Sequence, residues 1–122
     1  MQYLLLLYRD EEWLASLTDE ERAAITREYG ALHGQAAASG DLVAAAPLRW
    51  ADTATTVRVR EEEAVVTDGP FAETKEQLGG FFLVDVESVE QARAWAAKIP
   101  AARHGSVEVR PVMPVPAEVT AG

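Results

Sequence analysis

The chain has 122 residues, of which 48% are hydrophobic and 25% charged, as expected for one folded domain and not for a disordered chain. It contains no cysteine, which excludes disulfides, thiolate metal sites and cysteine nucleophiles. Its 20 acidic and 11 basic residues give a net charge of −9, which opposes direct binding to the phosphates of nucleic acid.

The sequence also lacks the signals of export and of membrane insertion. No apolar run approaches the roughly 20 residues that span a bilayer. The N-terminus has no basic region followed by an apolar core, which an export signal requires. We therefore expect a cytoplasmic protein with no membrane partner.

The first half of the chain predicts a strand, a helix and a second strand. Residues 2–8 form a short apolar run bounded by charge, which is typical of a strand. Thr18 and Glu21 have the spacing of a capping box, and Gly40 is a natural C-terminal stop, so a helix is predicted between them. Its predicted buried stripe consists of Ile25, Tyr29, Leu32 and Ala36. The second strand is predicted at residues 42–48.

A β-hairpin is predicted in the middle of the chain. Residues 54–60 alternate in polarity, with Val57 and Val59 expected to point inward. The acidic turn 61–63 joins them to a second strand at 64–67.

The last third of the chain predicts a strand, a helix and a strand. The strand at 79–86 is apolar on both faces. Ser88 begins a helix that must end before Pro100. Its predicted buried face consists of Val89, Ala92, Ala96 and Ile99. The final strand, at 106–112, has Val107 and Val109 inward.

This order of elements is that of an α+β ferredoxin-like sandwich with an inserted β-hairpin. Two helices cover only one face of such a sheet, yet residues 3–7 and 81–84 are apolar on both faces. The uncovered face needs an apolar partner. The simplest partner is a second copy of the sheet, so a homodimer is predicted.

Three motifs carry a resemblance to a known family. They are Asp68-Gly69-Pro70-Phe71, the run from Glu73 to Phe81, and Gly105 to Val112. Together they resemble the DGPF branch of the YCII-related family. The resemblance implies a dimeric α/β barrel, formed when two ferredoxin-like sheets pack face to face. It predicts a domain over residues 1–113, followed by an extended tail at 114–122.

The DGPF motif has two interpretations. Asp68 and Gly69 are common turn residues, so the carboxylate of Asp68 can serve geometry alone. Alternatively, the turn delivers Asp68 into a cleft beside the dimer interface as a general base, with Glu73 and Glu76 nearby. Converging carboxylates raise the pKa of one of them. Lys75 is either a solvated charge or a group that holds an anionic ligand.

Histidines and a tyrosine supply the other candidates. Smaller YCII relatives carry a histidine on their first helix, about eleven residues before the glycine that ends it, and this histidine is regarded as an active-site group. In this chain the corresponding glycine is Gly40, and Tyr29 occupies the position of the histidine. Tyrosine is a weak base at neutral pH, so Tyr29 is predicted as a ligand-binding or core residue. His33 is expected to be partly exposed. His104 lies just before the last strand, either in solvent or at a pocket rim.

No metal site or cofactor is predicted, because the two histidines are far apart and no nucleotide-binding fingerprint occurs. Two functions remain open. One is a metal-independent acid/base enzyme acting on a small organic molecule, with Asp68, Glu73 and His104 as catalytic groups and Tyr29, Lys75 and Glu76 as ligand-binding groups. The other is a non-catalytic ligand-binding or accessory protein linked to extracytoplasmic-function sigma factors, as the resemblance implies. Apolar and aromatic walls would favour the binding protein.

Overall fold

The structure is a computed structural model that describes residues 1–116. Most of the predicted tail, residues 117–122, lies outside the described residues. The elements follow one another as β1 (Gln2–Asp10), α1 (Glu11–Ser16), α2 (Asp19–Ser39), β2 (Leu42–Pro47), a 3-10 turn (Ala51–Thr53), β3 (Thr55–Arg60), β4 (Glu63–Asp68), β5 (Glu76–Asp85), α3 (Val89–Lys98), α4 (Ala101–His104) and β6 (Ser106–Pro111).

Four strands form one antiparallel sheet in the order β2-β5-β1-β6. This is the strand order of a ferredoxin-like sandwich. The remaining two strands, β3 and β4, pair only with each other as an inserted hairpin. The predicted α+β class and the inserted hairpin are confirmed, and within residues 1–116 the strands form no closed barrel.

The two faces of the sheet have different surroundings. Leu5 pairs with Phe82 and Tyr3 pairs with Val84, and all four are buried in the main core with α3 and α4. Because side chains alternate along a strand, the intervening residues point to the opposite face. There, Leu4 pairs with Leu83 and Leu6 pairs with Phe81, and these four side chains are only half-buried.

Helix α2 begins and ends where the sequence predicts. The Thr18 hydroxyl accepts from the Glu21 amide at 3.1 Å, and the Glu21 carboxylate accepts from the Thr18 amide at 2.9 Å. These hydrogen bonds lower the pKa of Glu21. Gly40 ends the helix in the left-handed conformation at φ 85°. Of the predicted stripe, only Leu32 and Ala36 are buried.

Helix α3 follows its prediction except in its first turn. The Ser88 hydroxyl accepts from the Gln91 amide at 3.2 Å, and Ala92, Ala96 and Ile99 are buried. Val89 was predicted on the buried face, which is wrong, because this residue in the first turn is 37% exposed. The two short helices α1 and α4 lie outside the predicted elements.

The prediction that Val57 and Val59 point inward is also wrong. These side chains are 59% and 63% exposed. Their alternation with Arg58 correctly indicates a strand, and Val57 pairs with Val66 across the hairpin. No element of the described chain covers this face, because the hairpin is not part of the four-stranded sheet. Alternation shows which residues share a face, but not whether that face is buried.

The glycine pair Gly79-Gly80 within β5 allows close packing. A Cβ atom at Gly80 would lie 2.8 Å from the backbone oxygen of Ala46 on the neighbouring strand. Gly79 has a different neighbour, the side chain of Arg9, which belongs to the site described next. None of the helices in residues 1–116 is long and apolar enough to cross a membrane.

Candidate functional site

A cavity of about 560 Å³ lies between α2 and the helix-covered face of the sheet. This volume is within the range of small-molecule sites, about 300–1,000 Å³. Leu7 and Phe82 form part of its sheet side, and Ile25 and Tyr29 part of its helix side. Leu14 of α1 also lines the cavity. The walls are mostly apolar, as in sites that enclose the body of an organic ligand.

The cavity exists because α2 packs closely on the core only through its C-terminal half. Leu32 and Ala36 are buried there, whereas Ile25 and Tyr29 are half-buried. The stripe predicted as continuous core therefore divides into a packed half and a half that lines the cavity. Gly30 lies in this wall, and the position of its absent Cβ atom is open space.

Arg9 supplies a positive charge at the sheet side of the cavity. It follows Leu7 on the same face of β1. Its Nη2 atom donates to the backbone oxygens of Leu48, at 2.9 Å, and Arg49, at 3.3 Å. The guanidinium carbon lies 5.2 Å from the centre of the Trp50 ring, within the range of a cation–π contact.

Glu11 of α1 binds the loop at residues 48–51, whose backbone oxygens accept from Arg9. The Glu11 carboxylate accepts from the Ala51 amide at 2.9 and 3.1 Å, and lies 3.8 Å from the Arg9 guanidinium. Gly79 leaves room for the Arg9 side chain, because a Cβ atom there would lie 2.6 Å from its Cδ and Nε atoms. The Nε atom is buried and has no hydrogen-bond partner among the described residues.

His104 ends α4 at the margin of the cavity. Its ring stacks on Trp13 with centroids 4.5 Å apart and an interplanar angle of 29°. Within residues 1–116, neither ring nitrogen has a hydrogen-bond partner. Burial lowers the pKa of His104 below its ordinary value, and the neighbouring Arg103 acts in the same direction. The imidazole is therefore neutral at pH 7.

Tyr29 and His33 lie one turn apart on α2, and both line the cavity. Burial raises the pKa of Tyr29, against the opposing effects of the Ala101 backbone, Arg9 and Arg103. The phenol thus stays protonated at neutral pH and offers a hydroxyl to a ligand. His33 is exposed, as expected from its place at the margin of the predicted stripe.

Of the six predicted site residues, the structure brings only Tyr29 and His104 to the cavity. Asp68 is the exposed last residue of β4, and the Gly69 amide after it donates to the Ala54 oxygen at 2.7 Å. Gly69 has a φ of 97°, which explains the need for glycine in this turn. Glu73, Lys75 and Glu76 are absent from the cavity lining; Glu73 and Lys75 are exposed, and Glu76 is half-buried.

The predicted cleft rimmed by carboxylates is not found at this cavity. Among the described residues, its lining includes no Asp or Glu, although it includes Arg9, Arg22, His33 and His104. Glu76 instead accepts from the Ser106 hydroxyl at 2.8 Å. Within residues 1–116, no three His, Asp or Glu side chains come together in an arrangement that could hold a metal ion.

Sequence reasoning missed Arg9, Arg22 and Trp50, which line the cavity, and the specific role of Gly79. One signal was present for Arg9. It continues the alternation of Tyr3, Leu5 and Leu7, so a charged group on the core-facing side of β1 could have been noticed. Nothing local indicates that Gly79, distant in sequence, would lie against Arg9.

Comparison with known proteins identifies the family. The model of the YCII-related domain matches residues 1–116. The chain belongs to the YCII-related family. A relative from Rhizobium meliloti (strain 1021), named uncharacterized protein R00369, is 39% identical over 114 residues, which is 92% of each chain. The predicted resemblance at the level of the family is thus confirmed, and the whole cavity lies within the YCII-related domain.

The lowered pKa of His104 predicts how the stability of the YCII-related domain depends on pH. Below about pH 6.5 His104 is protonated in the unfolded chain, whereas in the folded chain it stays neutral to a lower pH. The free energy of unfolding therefore decreases as the pH is lowered below about 6.5, and it becomes constant once the pH is below the pKa of His104 in the folded chain. His104→Phe retains a ring against Trp13 and removes this contribution. Urea unfolding of both proteins at neutral and acid pH measures the difference. Parallel pH profiles would contradict the prediction.

Proposed function

We propose that this protein binds a small, largely apolar organic molecule in the cavity between α2 and the sheet. The observation that carries the proposal is the cavity itself, which combines a volume of about 560 Å³ and apolar walls with a few polar groups. Tyr29 offers a hydroxyl, and the neutral His104 ring lies at the margin. The sequence predicted Tyr29 as a ligand-binding residue and His104 as a catalytic one, and we propose both as ligand contacts.

Binding explains the geometry better than catalysis does. A histidine that acts as a general base is normally oriented by a carboxylate or backbone oxygen, but the described partners of His104 include neither. Its ring nitrogens are buried in this conformation. A non-catalytic ligand-binding role is therefore the first candidate. It also suits the accessory role alongside extracytoplasmic-function sigma factors that the resemblance to the DGPF branch implies.

An acid/base enzyme that needs no metal is the second candidate. It is favoured by one observation, a neutral histidine and a protonated tyrosine at the same cavity. Catalysis by His104 would require its ring to move from Trp13, because its nitrogens are covered. The catalytic roles predicted for Asp68 and Glu73, and the binding roles of Lys75 and Glu76, stay predictions.

We also propose that two copies of the chain pair through the second face of the sheet as a dimeric α/β barrel. Leu4, Leu6, Phe81 and Leu83 form a half-buried apolar patch there, and in residues 1–116 no helix covers it. A stable interface buries about 800 Å² on each partner, and a four-stranded sheet offers an area of that order. Most of the cavity lining lies on the other face, and Phe81 belongs both to the patch and to the cavity lining.

The proposed binding site is tested by filling the cavity from Gly30. Gly30→Phe is expected to place a ring in open space and to weaken binding of the neutral fluorophore phenylnaphthylamine by at least about tenfold, or 1.4 kcal/mol. Fluorescence titration gives the dissociation constants. The substitution is expected not to destabilise α2, because glycine is a poor helix former.

Gly34→Phe is the matched control for this test. Gly34 lies one turn further along α2, also faces open space, and is not part of the cavity wall. It should leave the affinity for phenylnaphthylamine unchanged. Equal affinities of the two variants, or no binding of the probe by the unsubstituted protein, would contradict the proposed function.

A further inference from the structure

The permanently charged groups of the cavity lining are two arginines, Arg9 and Arg22. Its described lining contains Arg9, Arg22, His33 and His104 and no carboxylate, although the whole chain carries a net charge of −9. In a protein with 20 acidic and 11 basic residues, this arrangement concentrates positive charge at the cavity between α2 and the sheet. A cavity of this kind favours a ligand of opposite charge.

The two arginines differ in how their hydrogen bonds are used. Arg22 donates through Nη1 to the backbone oxygens of Leu14, Ala15 and Leu17, and through Nη2 to Asp19 at 2.6 Å. It therefore fixes the C-terminal end of α1 and is already paired with a carboxylate. Within residues 1–116, Arg9 donates two hydrogen bonds, both from Nη2 to backbone oxygens, which carry no full charge.

Arg9 is held in place but incompletely paired. Among the described residues, its nearest carboxylate is that of Glu11, which is 3.8 Å away and is engaged by the Ala51 amide. Its Nε atom is buried without an acceptor among the described residues. The ring of Trp50 and the space left by Gly79 fix the guanidinium group beside the cavity. A fixed guanidinium with unused donors is a typical binding group for a carboxylate or sulfonate.

We propose that the cavity selects organic anions, with Arg9 binding the acidic group and the apolar walls enclosing the rest of the molecule. The ligand class is a small organic acid with an apolar body. Leu7, Ile25 and Phe82 contact that body, and the Tyr29 hydroxyl donates a second hydrogen bond to the anion or to a polar substituent. This inference rests on the proposed function and adds the charge of the ligand.

Two fluorescent probes with the same ring skeleton test the proposal. Anilinonaphthalene sulfonate carries an anionic group, whereas phenylnaphthylamine is neutral. The anion is expected to bind at least about tenfold more tightly, as one charge-assisted contact implies. Arg9→Met should remove this preference, leaving the affinity for the neutral probe within about twofold of its original value.

Two further variants separate the role of Arg9 from general effects of charge. Arg27→Met removes a positive charge from an exposed position of α2 outside the cavity and should change neither affinity. Gly79→Ala keeps every charge but displaces the Arg9 side chain, so it should weaken binding of the sulfonate and not of the neutral probe. If Arg9→Met fails to fold, Gly79→Ala decides the question.

The outcomes distinguish the two proposals. If neither probe binds, or if Gly30→Phe changes the affinity for neither probe, the proposed function is wrong. The proposal that the cavity selects organic anions is then wrong as well. If both probes bind with equal affinity and Gly30→Phe weakens both, the cavity binds apolar molecules but the anion proposal is overturned. An equal loss of sulfonate affinity in Arg9→Met and Arg27→Met would also overturn it, because net charge would then explain the effect.

Discussion

Leu5→Asp is expected to prevent folding, whereas Leu6→Asp is expected to yield a folded monomer. Leu5 is fully buried in the core, so aspartate there would place an unpaired charge among apolar side chains. Its cost exceeds several kcal/mol, comparable to the whole stability of a domain, about 5–15 kcal/mol. Leu6 is half-buried and pairs with Phe81 on the opposite face. The carboxylate of an aspartate at this position would stay hydrated in the monomer.

These adjacent positions form a matched pair, because the substitution is the same and only the face differs. Circular dichroism reports whether each variant folds, and sedimentation equilibrium reports its mass. The unsubstituted chain is expected to sediment as a dimer at micromolar concentration. A folded monomer of the unsubstituted chain, or a Leu6→Asp variant that still dimerises as tightly, would contradict the proposed pairing of the sheets.

Gly105→Ala is expected to have the largest effect of any single added methyl group. Gly105 joins α4 to β6, and a Cβ atom there would overlap the backbone oxygen of Tyr8 on β1. Neither group can move freely, because Tyr8 pairs with Ser106 in the sheet and α4 is tied to β1 and β6. Overpacking costs about 1–3 kcal/mol where side chains adjust, so a clash with backbone should cost at least the upper value.

Urea unfolding of Gly105→Ala and Gly34→Ala measures this effect against a control. Gly34 faces open space within α2, so its replacement by alanine should stabilise the helix by up to about 1 kcal/mol. A Gly105→Ala variant as stable as the unsubstituted chain would show that β1 and β6 can separate at this point. The same junction positions His104, so we expect the variant to lose affinity for cavity ligands as well.

The two proposed functions, ligand binding and acid/base catalysis, place different requirements on the site. A cavity that binds organic anions through Arg9 needs no further group to act as a receptor or an accessory domain. Conversion of a bound ligand would additionally require a free base, and His104 becomes one only when its ring leaves Trp13. The proposed binding function therefore needs no change in the observed conformation, whereas the alternative proposal of turnover would require movement of α1 or α4.

Local sequence patterns were sufficient for most of the fold. The capping box of Thr18 and Glu21, the stop at Gly40 and the alternation along β1 and β6 each depend on neighbours only a few residues apart. Such local rules predict where an element begins and which residues share a face. Together with the family resemblance, they predicted the ferredoxin-like order of the strands.

The candidate site depended on contacts that local patterns do not contain. Arg9 lies against Gly79 only when β1 packs beside β5, and Trp13 lies against His104 only when α1 packs beside α4. Asp68 illustrates the opposite case, because a turn and a catalytic carboxylate have the same local sequence. Only the tertiary structure placed Asp68 on the exposed hairpin and Arg9 beside the cavity, because burial is a property of the whole chain.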